Sequence, residues 1–190
     1  MILESRKSII LPTSYFPPIS YFKELIQHKN HYIEYHEHYK RHSIRNRTQI
    51  IGSNGILTLT VPIEKKHYSK TKTKNIKIVN NNWKKKHINS IKSAYGSAPF
   101  FIHYIDEIQA IINTDELFLI DLNNKILSYF LTELGLAYEI NKTKSYIYNY
   151  DPDHTDYRNK FKTPFILKPY TQVFGNKFIA NLSILDLIFN

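Results

Sequence analysis

The sequence predicts an α/β protein: a single compact domain with a mixed sheet, flanking helices and an antiparallel β-hairpin. Short apolar runs that suit buried strands alternate with longer stretches in which apolar residues recur at helical spacing. Asn54-Gly55, between two alternating runs, is a type I′ turn signal and adds the hairpin. The chain has 190 residues, of which 42% are hydrophobic, as in ordinary globular domains. We therefore expect one domain over residues 1–190.

The N-terminal part is predicted to form a strand, a helix and a second strand. The apolar run Ser8–Leu11 predicts a short buried strand that Pro12 stops. Pro17-Pro18 favours a first helical turn, so we expect a helix from Ile19 to about Gln27. The second strand is expected at Tyr32–Glu37. Residues between the first strand and the helix would then lead into a helix N-terminus, whose free amides favour anions.

The hairpin comes next, with Gln49–Ile51 pairing with Leu57–Val61. Successive side chains of the second of these strands face opposite sides, so its leucines share one face and its threonines the other. A Lys- and Thr-rich loop is expected at Lys65–Lys74, followed by another short strand at Ile76–Val79.

Three helices are predicted in the middle of the chain. The first is capped by Asn82, ends at Gly96 and repeats Trp83, His87, Ile91 and Tyr95 at four-residue steps. The second starts at Ala98-Pro99 and continues to about Ile112. The third is capped by Asp115 and ends at Gly135.

The C-terminal part is predicted to contain a strand, a loop and a final helix. Tyr138–Ile140 is the candidate strand, and the polar stretch Asn149–Lys162 is expected to be a loop. Leu182–Phe189 has a helical apolar pattern. Asn181 or Ser183 would cap this helix and place Asp186 in its first turn.

Positive charge is concentrated in one segment. The formal net charge is +10, with 26 Lys+Arg and 16 Asp+Glu. Ten lysines and no acidic residue lie between Lys65 and Ile105, so the other 16 basic residues balance the 16 acidic ones. Such a segment suits nucleic acid, an anionic membrane or a phosphorylated small molecule. A solvated surface in a chain rich in Ile, Asn and Lys explains it equally well.

Several classes of site are not supported by the composition. Without cysteine there is no disulfide, thiolate nucleophile or thiolate metal ligand. No apolar run approaches the roughly 20 residues that cross a bilayer, so we expect no membrane span and a cytoplasmic location. Histidines 28, 31, 36, 38 and 42 cluster around the second strand but match no zinc spacing, so no metal site is predicted. The sequence predicts neither a cofactor nor an oligomeric state.

The segment Ile33–Ile63 is richest in side chains that bind polar ligands. Guanidinium and amide groups suit a phosphate, carboxylate or sugar-phosphate, so we predict Arg41, Arg45, Asn46 and Arg47 as ligand-binding residues. Arg45 and Arg47 would share one face if this segment is extended. The alternative is structural, with the arginines joining the start of the hairpin to Glu34 or Glu37.

Glu37 and His87 are the candidate catalytic residues. A carboxylate beside arginines favours its ionised form, which suits a base, although a simple salt-bridge role is the alternative. His87 shares an inward helical face with Trp83 and would be neutral at pH 7 if partly buried, as a general base requires. The alternative is an ordinary buried, hydrogen-bonded histidine. Tyr15, Tyr21 and Trp83 are predicted to contact the ligand, with core packing of the tyrosine rings as the alternative.

Several short motifs lie in order along nearly the whole chain: Pro12–Pro17, Tyr21-Phe22-Lys23, Arg45-Asn46-Arg47, Leu59–Pro62, Trp83, Lys86-His87, Tyr95, Ala98-Pro99-Phe100, Asp121-Leu122-Asn123, Tyr170, Gln172 and Asn181–Asn190. Together they resemble the WbqC-like family of bacterial proteins. The resemblance implies a role in the biosynthesis of O-antigen or another surface polysaccharide, with a transferase as the expected activity. It implies no catalytic residue.

The leading functional hypothesis is a cytoplasmic enzyme that transfers or ligates a group on an activated phosphorylated small molecule, such as a nucleotide-sugar. The arginine- and glutamate-rich corner and the family resemblance support it. One alternative is a basic nucleic-acid-binding module, which is less favoured because the chain carries no RNA- or DNA-binding motif. The other is a non-catalytic scaffold in a polysaccharide assembly complex.

Overall fold

The protein is described here by a computed structural model that covers residues 8–28, 30–64, 70–136, 139–148, 152–161, 168–174 and 177–190. In chain order, its regular elements are β1 (Ser8–Pro12), α1 (Ile19–Gln27), β2 (His31–Glu34), β3 (Arg47–Gly52), β4 (Gly55–Thr60), α2 (Trp83–Tyr95), α3 (Phe101–Asn113), α4 (Leu119–Glu133), β5 (Ile140–Lys142), β6 (His154–Asp156) and α5 (Ile184–Phe189). A short 3-10 turn at Thr73–Asn75 precedes α2.

Four strands form a parallel sheet in the order β5-β2-β1-β6. Strands β1 and β2, joined by α1, form a βαβ unit in which Leu11 lies opposite Ile33. The three consecutive apolar residues of β1 are completely buried, as is typical of a parallel strand covered on both faces. The carboxyl ends of all four strands therefore lie at one edge of the sheet.

The hairpin β3–β4 is a separate two-stranded antiparallel sheet. Its inner residues Ile50 and Leu59 are buried in the same core as Phe130 of α4 and Phe189 of α5. The predicted fold class is thus confirmed, with a parallel sheet, flanking helices and an antiparallel hairpin around one core. The expected hairpin pairing is confirmed too, since Gln49 lies opposite Thr58.

The hairpin turn differs from the prediction in its backbone. A type I′ turn needs positive φ at both central residues. Gly52 lies opposite Gly55, so the central residues of the turn are Ser53 and Asn54, and neither has positive φ. Within residues 52–55, positive φ occurs only at Gly55, which has φ of +103° and is the first residue of β4.

The predicted strand Tyr32–Glu37 ends early, at Glu34. The backbone amide of His36 donates to the Glu34 carboxylate at 2.8 Å, which turns the chain out of the sheet. Tyr35 to Glu37 then leave the sheet, and Glu37 turns toward Arg45.

Of two further predicted strands, one is absent within the described residues and the other lies two residues later in the chain. Ile76–Val79 forms only isolated bridges, one of them between Ile63 and Ile78. The strand expected at Tyr138–Ile140 is found at Ile140–Lys142, and Tyr138 lies outside the described residues. Of the expected loop at Lys65–Lys74, residues 65–69 also lie outside the described part.

The expected loop at Asn149–Lys162 contains a strand, because His154–Asp156 pairs with β1 as β6. Its described part includes residues 152–161. A three-residue polar edge strand has no apolar pattern that would distinguish it from a loop.

The predicted helices are present, but two begin later than expected. The third helix begins at Leu119, so Asp115 is not its cap; the Asp115 carboxylate instead accepts a hydrogen bond from Lys84 at 3.0 Å. Phe101 begins the second, after a turn at 97–100. Ser183 caps α5 as predicted, accepting from the amide of Leu185.

Within the described part of the chain, no helix is both long and apolar enough to span a bilayer.

Candidate functional site

A cavity of about 750 Å³ lies beside the carboxyl edge of the parallel sheet. Its walls come from the segment 40–45, the hairpin, the residues after β6 and the residues just before α5. Among the described residues that line it, none is Asp or Glu, and five are cationic: Lys40, Arg41, Arg45, Arg47 and Arg158. Polar side chains that accompany them include Gln49, Thr58, Asn159 and Asn181. The cavity suits a polar anionic ligand.

Arg45, in the wall of this cavity, forms a buried ion pair with Glu37 behind it. Arg45 Nε and Nη2 lie 2.8 and 2.5 Å from Glu37 Oε1. Arg45 is 1% exposed and Glu37 is 3% exposed. Burial raises the pKa of the Glu37 carboxyl, and the Arg45 guanidinium opposes that rise. The contact fixes the guanidinium plane, and Glu37 itself is not among the residues that line the cavity.

Arg158 holds the carboxyl ends of two strands together. Its guanidinium donates to both carboxylate oxygens of Asp156 at 2.9 Å and to Glu34 Oε2 at 3.1 Å. Burial acts to raise the pKa of the Asp156 carboxyl, but the hydrogen bonds and charge of Arg158 outweigh it and lower that pKa. The Arg158 carbonyl oxygen accepts from Arg45 at 3.3 Å, so the two ion pairs form one network.

The turn that carries Arg45 is held by buried amides. Asn123 of α4 donates to the carbonyl oxygen of Arg45 at 2.8 Å and to the Thr13 hydroxyl at 3.0 Å. Asn46 uses its amide within the protein: its oxygen accepts from Tyr39 at 2.6 Å and its nitrogen donates to the Val61 carbonyl at 2.8 Å. Asn46 therefore positions this turn, and it does not line the cavity.

Arg47 differs from Arg45 and Arg158 in its hydrogen bonding, since those two arginines are paired with carboxylates. Its Nε is buried and has no hydrogen-bond partner among the described residues. No ion pair of the described residues includes it either. Leaving a buried charged donor unsatisfied is costly, and the Arg47 guanidinium, on a residue that lines the cavity, thus keeps hydrogen-bonding capacity that the described residues do not use.

The hairpin presents Arg47 to the cavity because its side chains alternate. Arg47 and Gln49 are two residues apart in β3, and Thr58 lies opposite Gln49 in β4. All three line the cavity, while Ile50 points into the core. Arg45 lies in a turn before the strand, so the condition for a shared face, an extended segment through both arginines, is not met. They converge on the cavity from a turn and a strand instead.

Two of the cavity-lining residues have an unusual backbone. His42 has φ of +51° and Asn181 has φ of +62°, in the left-handed region that side chains disfavour. The Asn181 amide oxygen accepts from the backbone amide of Ser20 at 3.0 Å. The next amide, of Tyr21, donates to Pro18, and that of Ile19 donates to Leu182. The first amides of α1 therefore have protein partners, contrary to the expectation of a free anion site there.

Tyr15, Trp83 and His87 form a buried aromatic group outside the cavity lining. The Tyr15 hydroxyl lies 2.9 Å from His87 Nδ1, and the Trp83 and His87 rings are 5.1 Å apart. Burial lowers the pKa of His87 to about 4, so this histidine is neutral at pH 7. The structure does not bring these three residues to the cavity.

Tyr21 lies behind the cavity wall. Its hydroxyl donates to the Pro12 carbonyl at 2.9 Å and its ring lies 5.2 Å from that of Phe161, which lines the cavity. Burial raises the pKa of the Tyr21 phenol strongly, while the charge of Arg45 acts in the opposite direction. Tyr21 thus supports the wall without lining it.

The histidines around β2 contact the backbone. Rings of His28, His31 and His36 lie within hydrogen-bond distance of the carbonyls of Glu24, Leu25 and Thr143, at 2.8, 2.8 and 3.1 Å. Within the described ranges, no group of three or more His, Asp or Glu side chains is arranged to hold a metal ion.

Sequence reasoning missed Arg158, Asn159 and Asn181, which all line the cavity. Arg158 lay in the stretch expected to be a loop, and its signal is the Asp-x-Arg spacing, which allows the arginine to return to Asp156. Asn181 was considered only as a cap of α5.

The family comparison covers most of this site. A family model described as the WbqC-like protein family matches residues 13–159. The chain belongs to this family. The matched residues include every cationic side chain of the cavity wall, whereas Asn181 and Ser183 lie beyond the match. No curated protein and no solved structure gives a significant match to this WbqC-like chain.

Proposed function

We propose that the cavity binds an activated phosphorylated small molecule, such as a nucleotide-sugar, and that the protein transfers or ligates a group from it in bacterial surface-polysaccharide biosynthesis. The observation that carries the proposal is the buried Arg47 Nε, which has no hydrogen-bond partner among the described residues and lies in a wall with four further cationic side chains. Membership of the WbqC-like family supports the pathway.

The charge arrangement fits the departure of a phosphate. In a group transfer, an acceptor hydroxyl or amine forms the new bond, its proton passes to a base, and the phosphate leaves with the bonding electron pair. Fixed cations stabilise that leaving charge because they need no reorganisation as it forms. Arg45 and Arg158 are already fixed by carboxylates, and Arg47 lies on a paired strand.

A proton acceptor for this reaction has to lie close to the bound ligand. Glu37 and His87 are the candidates from sequence, but neither lines the cavity. His42 does, on a residue with left-handed backbone, and histidine is the residue most often used as a general base. We therefore include His42 as the base to be tested beside Glu37.

Ligand binding tests the proposal directly. Pyrophosphate and nucleotide-sugars are titrated calorimetrically into the wild type, Arg47→Gln and Lys85→Gln, the last on the exposed face of α2. We expect micromolar to millimolar binding that Arg47→Gln weakens about tenfold or more, since a charge-assisted hydrogen bond contributes roughly 1.5–3 kcal/mol. Lys85→Gln should bind as the wild type does. Equal binding by all three proteins, or none by the wild type, rejects the assignment of this cavity.

A further inference from the structure

Two exposed tyrosines pack against each other, and one of them contacts the cationic network at the carboxyl edge of the sheet. Tyr146 and Tyr148 are 42% and 56% exposed, and their rings are 5.1 Å apart and nearly perpendicular. By contrast, Tyr15 and Tyr21, the tyrosines predicted to contact the ligand, are 0% exposed. The exposed pair therefore needs its own explanation.

Tyr146 covers the guanidinium group of Arg158. The Arg158 Cζ atom lies 4.6 Å from the centroid of the Tyr146 ring, which is a cation–π contact. Arg158 is itself a residue of the cavity wall, so the Tyr146 ring stands one side chain away from the cavity. One face of the ring rests on the cation, and the exposed fraction of the residue leaves ring surface open.

The backbone between the two tyrosines is fixed to the same network. The amide of Ile147 donates to Glu34 Oε2 at 3.2 Å, and the same oxygen accepts from Arg158 at 3.1 Å. The Tyr146 ring is therefore held in place before any ligand arrives. A preorganised aromatic ring costs little conformational entropy when it binds a second flat ring.

We propose that Tyr146 is a stacking platform for the base of a nucleoside diphosphate whose phosphates contact Arg47 in the cavity. The inference rests on the proposed function and adds the residue that binds the base of a nucleoside diphosphate or its sugar conjugate. An aromatic ring beside a cationic groove is the common arrangement for binding nucleotides, because every base has a face that stacks.

The test distinguishes the contribution of the base to binding from that of the phosphates. Pyrophosphate, UDP and ADP are titrated calorimetrically into the wild type, Tyr146→Leu, Tyr146→Phe and Phe100→Leu, the last replacing an exposed aromatic residue far along the chain from both tyrosines. We expect UDP and ADP to bind the wild type more tightly than pyrophosphate does. Tyr146→Leu should weaken both nucleotides about fivefold or more and leave pyrophosphate unchanged, since stacking acts on the base alone.

Tyr146→Phe and Phe100→Leu should retain wild-type affinity for all three ligands. The stacking role is overturned if Tyr146→Leu weakens all three equally, because the tyrosine then acts through Arg158. It is also overturned if UDP and ADP bind no more tightly than pyrophosphate, although the proposed function then stands. If neither pyrophosphate nor the nucleotides bind the wild type, both proposals fail.

Discussion

Arg45 donates two hydrogen bonds to a single carboxylate oxygen, Glu37 Oε1, in an ion pair that is almost completely buried. Glu37 lies just after β2, the second strand of the βαβ unit, and Arg45 lies just before the hairpin, so the pair joins the two sheets. The guanidinium also reaches the Arg158 carbonyl, which extends the connection to β6. The cavity wall is thus anchored to the carboxyl ends of β2 and β6.

Removal of either partner of this pair should be strongly destabilising. Arg45→Met or Glu37→Leu leaves one buried charge uncompensated, and we expect the free energy of unfolding to fall by about 3–5 kcal/mol in each case. The double variant should lose less than either single one, because no lone charge remains buried. Urea unfolding of the four proteins gives the coupling energy. Additive losses would contradict a direct interaction.

The sequence predicted a cluster of arginines and glutamates but not how their side chains are arranged around the cavity. Residue types at 37 and 45 were sufficient to propose a salt bridge, and they do form one. The sequence around residues 45–47 could not show whether this segment is extended. The chain turns there because Tyr39 and Asn46 form hydrogen bonds with residues 71 and 61, which are distant in the sequence. Such contacts depend on the tertiary fold.

Local patterns predicted helices and the hairpin well, because apolar periodicity and turn residues act over a few positions. The edge strand β6 and its Arg158 were missed, because a three-residue polar strand is defined only by its neighbour β1. The sequence also could not decide whether Tyr15 and Tyr21 are buried in the core or contact the ligand, since an apolar ring with a hydroxyl suits both environments. Packing, not residue type, decided between them.

His87 should make stability depend on pH. Its pKa is about 4 in the folded protein and 6.5 ordinarily, so the unfolded chain binds the proton more tightly between these values. Stability is therefore fully present above pH 6.5 and should fall by up to about 3 kcal/mol as pH decreases to 4. His87→Asn should remove this part of the pH dependence, as shown by urea unfolding at several pH values.

His103→Asn is the matched control for that experiment, because His103 lies on the exposed side of α3. It should retain the wild-type dependence on pH. An unchanged dependence in His87→Asn would mean that the ring is not neutral and buried in solution.

Asp186 should anchor the last helix. Its carboxylate, completely buried, accepts from Tyr95 at 3.0 Å, from Tyr170 at 2.5 Å and from Gln172 at 2.7 Å. Asp186→Asn replaces one acceptor oxygen by a donor that faces another donor, so we expect a loss of about 2–3 kcal/mol in the free energy of unfolding. Asp106→Asn, on the exposed side of α3, should change stability little.

A double variant isolates the cause of that loss. Tyr170→Phe removes one of the three donors, so combining it with Asp186→Asn should destabilise by less than the sum of the two single changes. Additivity would show that the three donors do not share one acceptor group in solution.

Asn181 combines an unusual backbone with a helix contact, and two substitutions separate them. Its φ is +62°, and its side chain accepts from the amide of Ser20 in the first turn of α1. Asn181→Gly keeps the backbone conformation accessible but loses the hydrogen bond, whereas Asn181→Ala loses the hydrogen bond and also strains the backbone. We expect the free energy of unfolding of Asn181→Ala to be lower than that of Asn181→Gly by about 1 kcal/mol, because a left-handed backbone costs an alanine residue roughly 1–2 kcal/mol. Thermal unfolding of the two variants and of Asn181→Asp, which keeps an acceptor oxygen, measures both effects. If Asn181→Ala is as stable as Asn181→Gly, residue 181 does not have a left-handed backbone in solution. The wall of the cavity beside α1 then has a different shape.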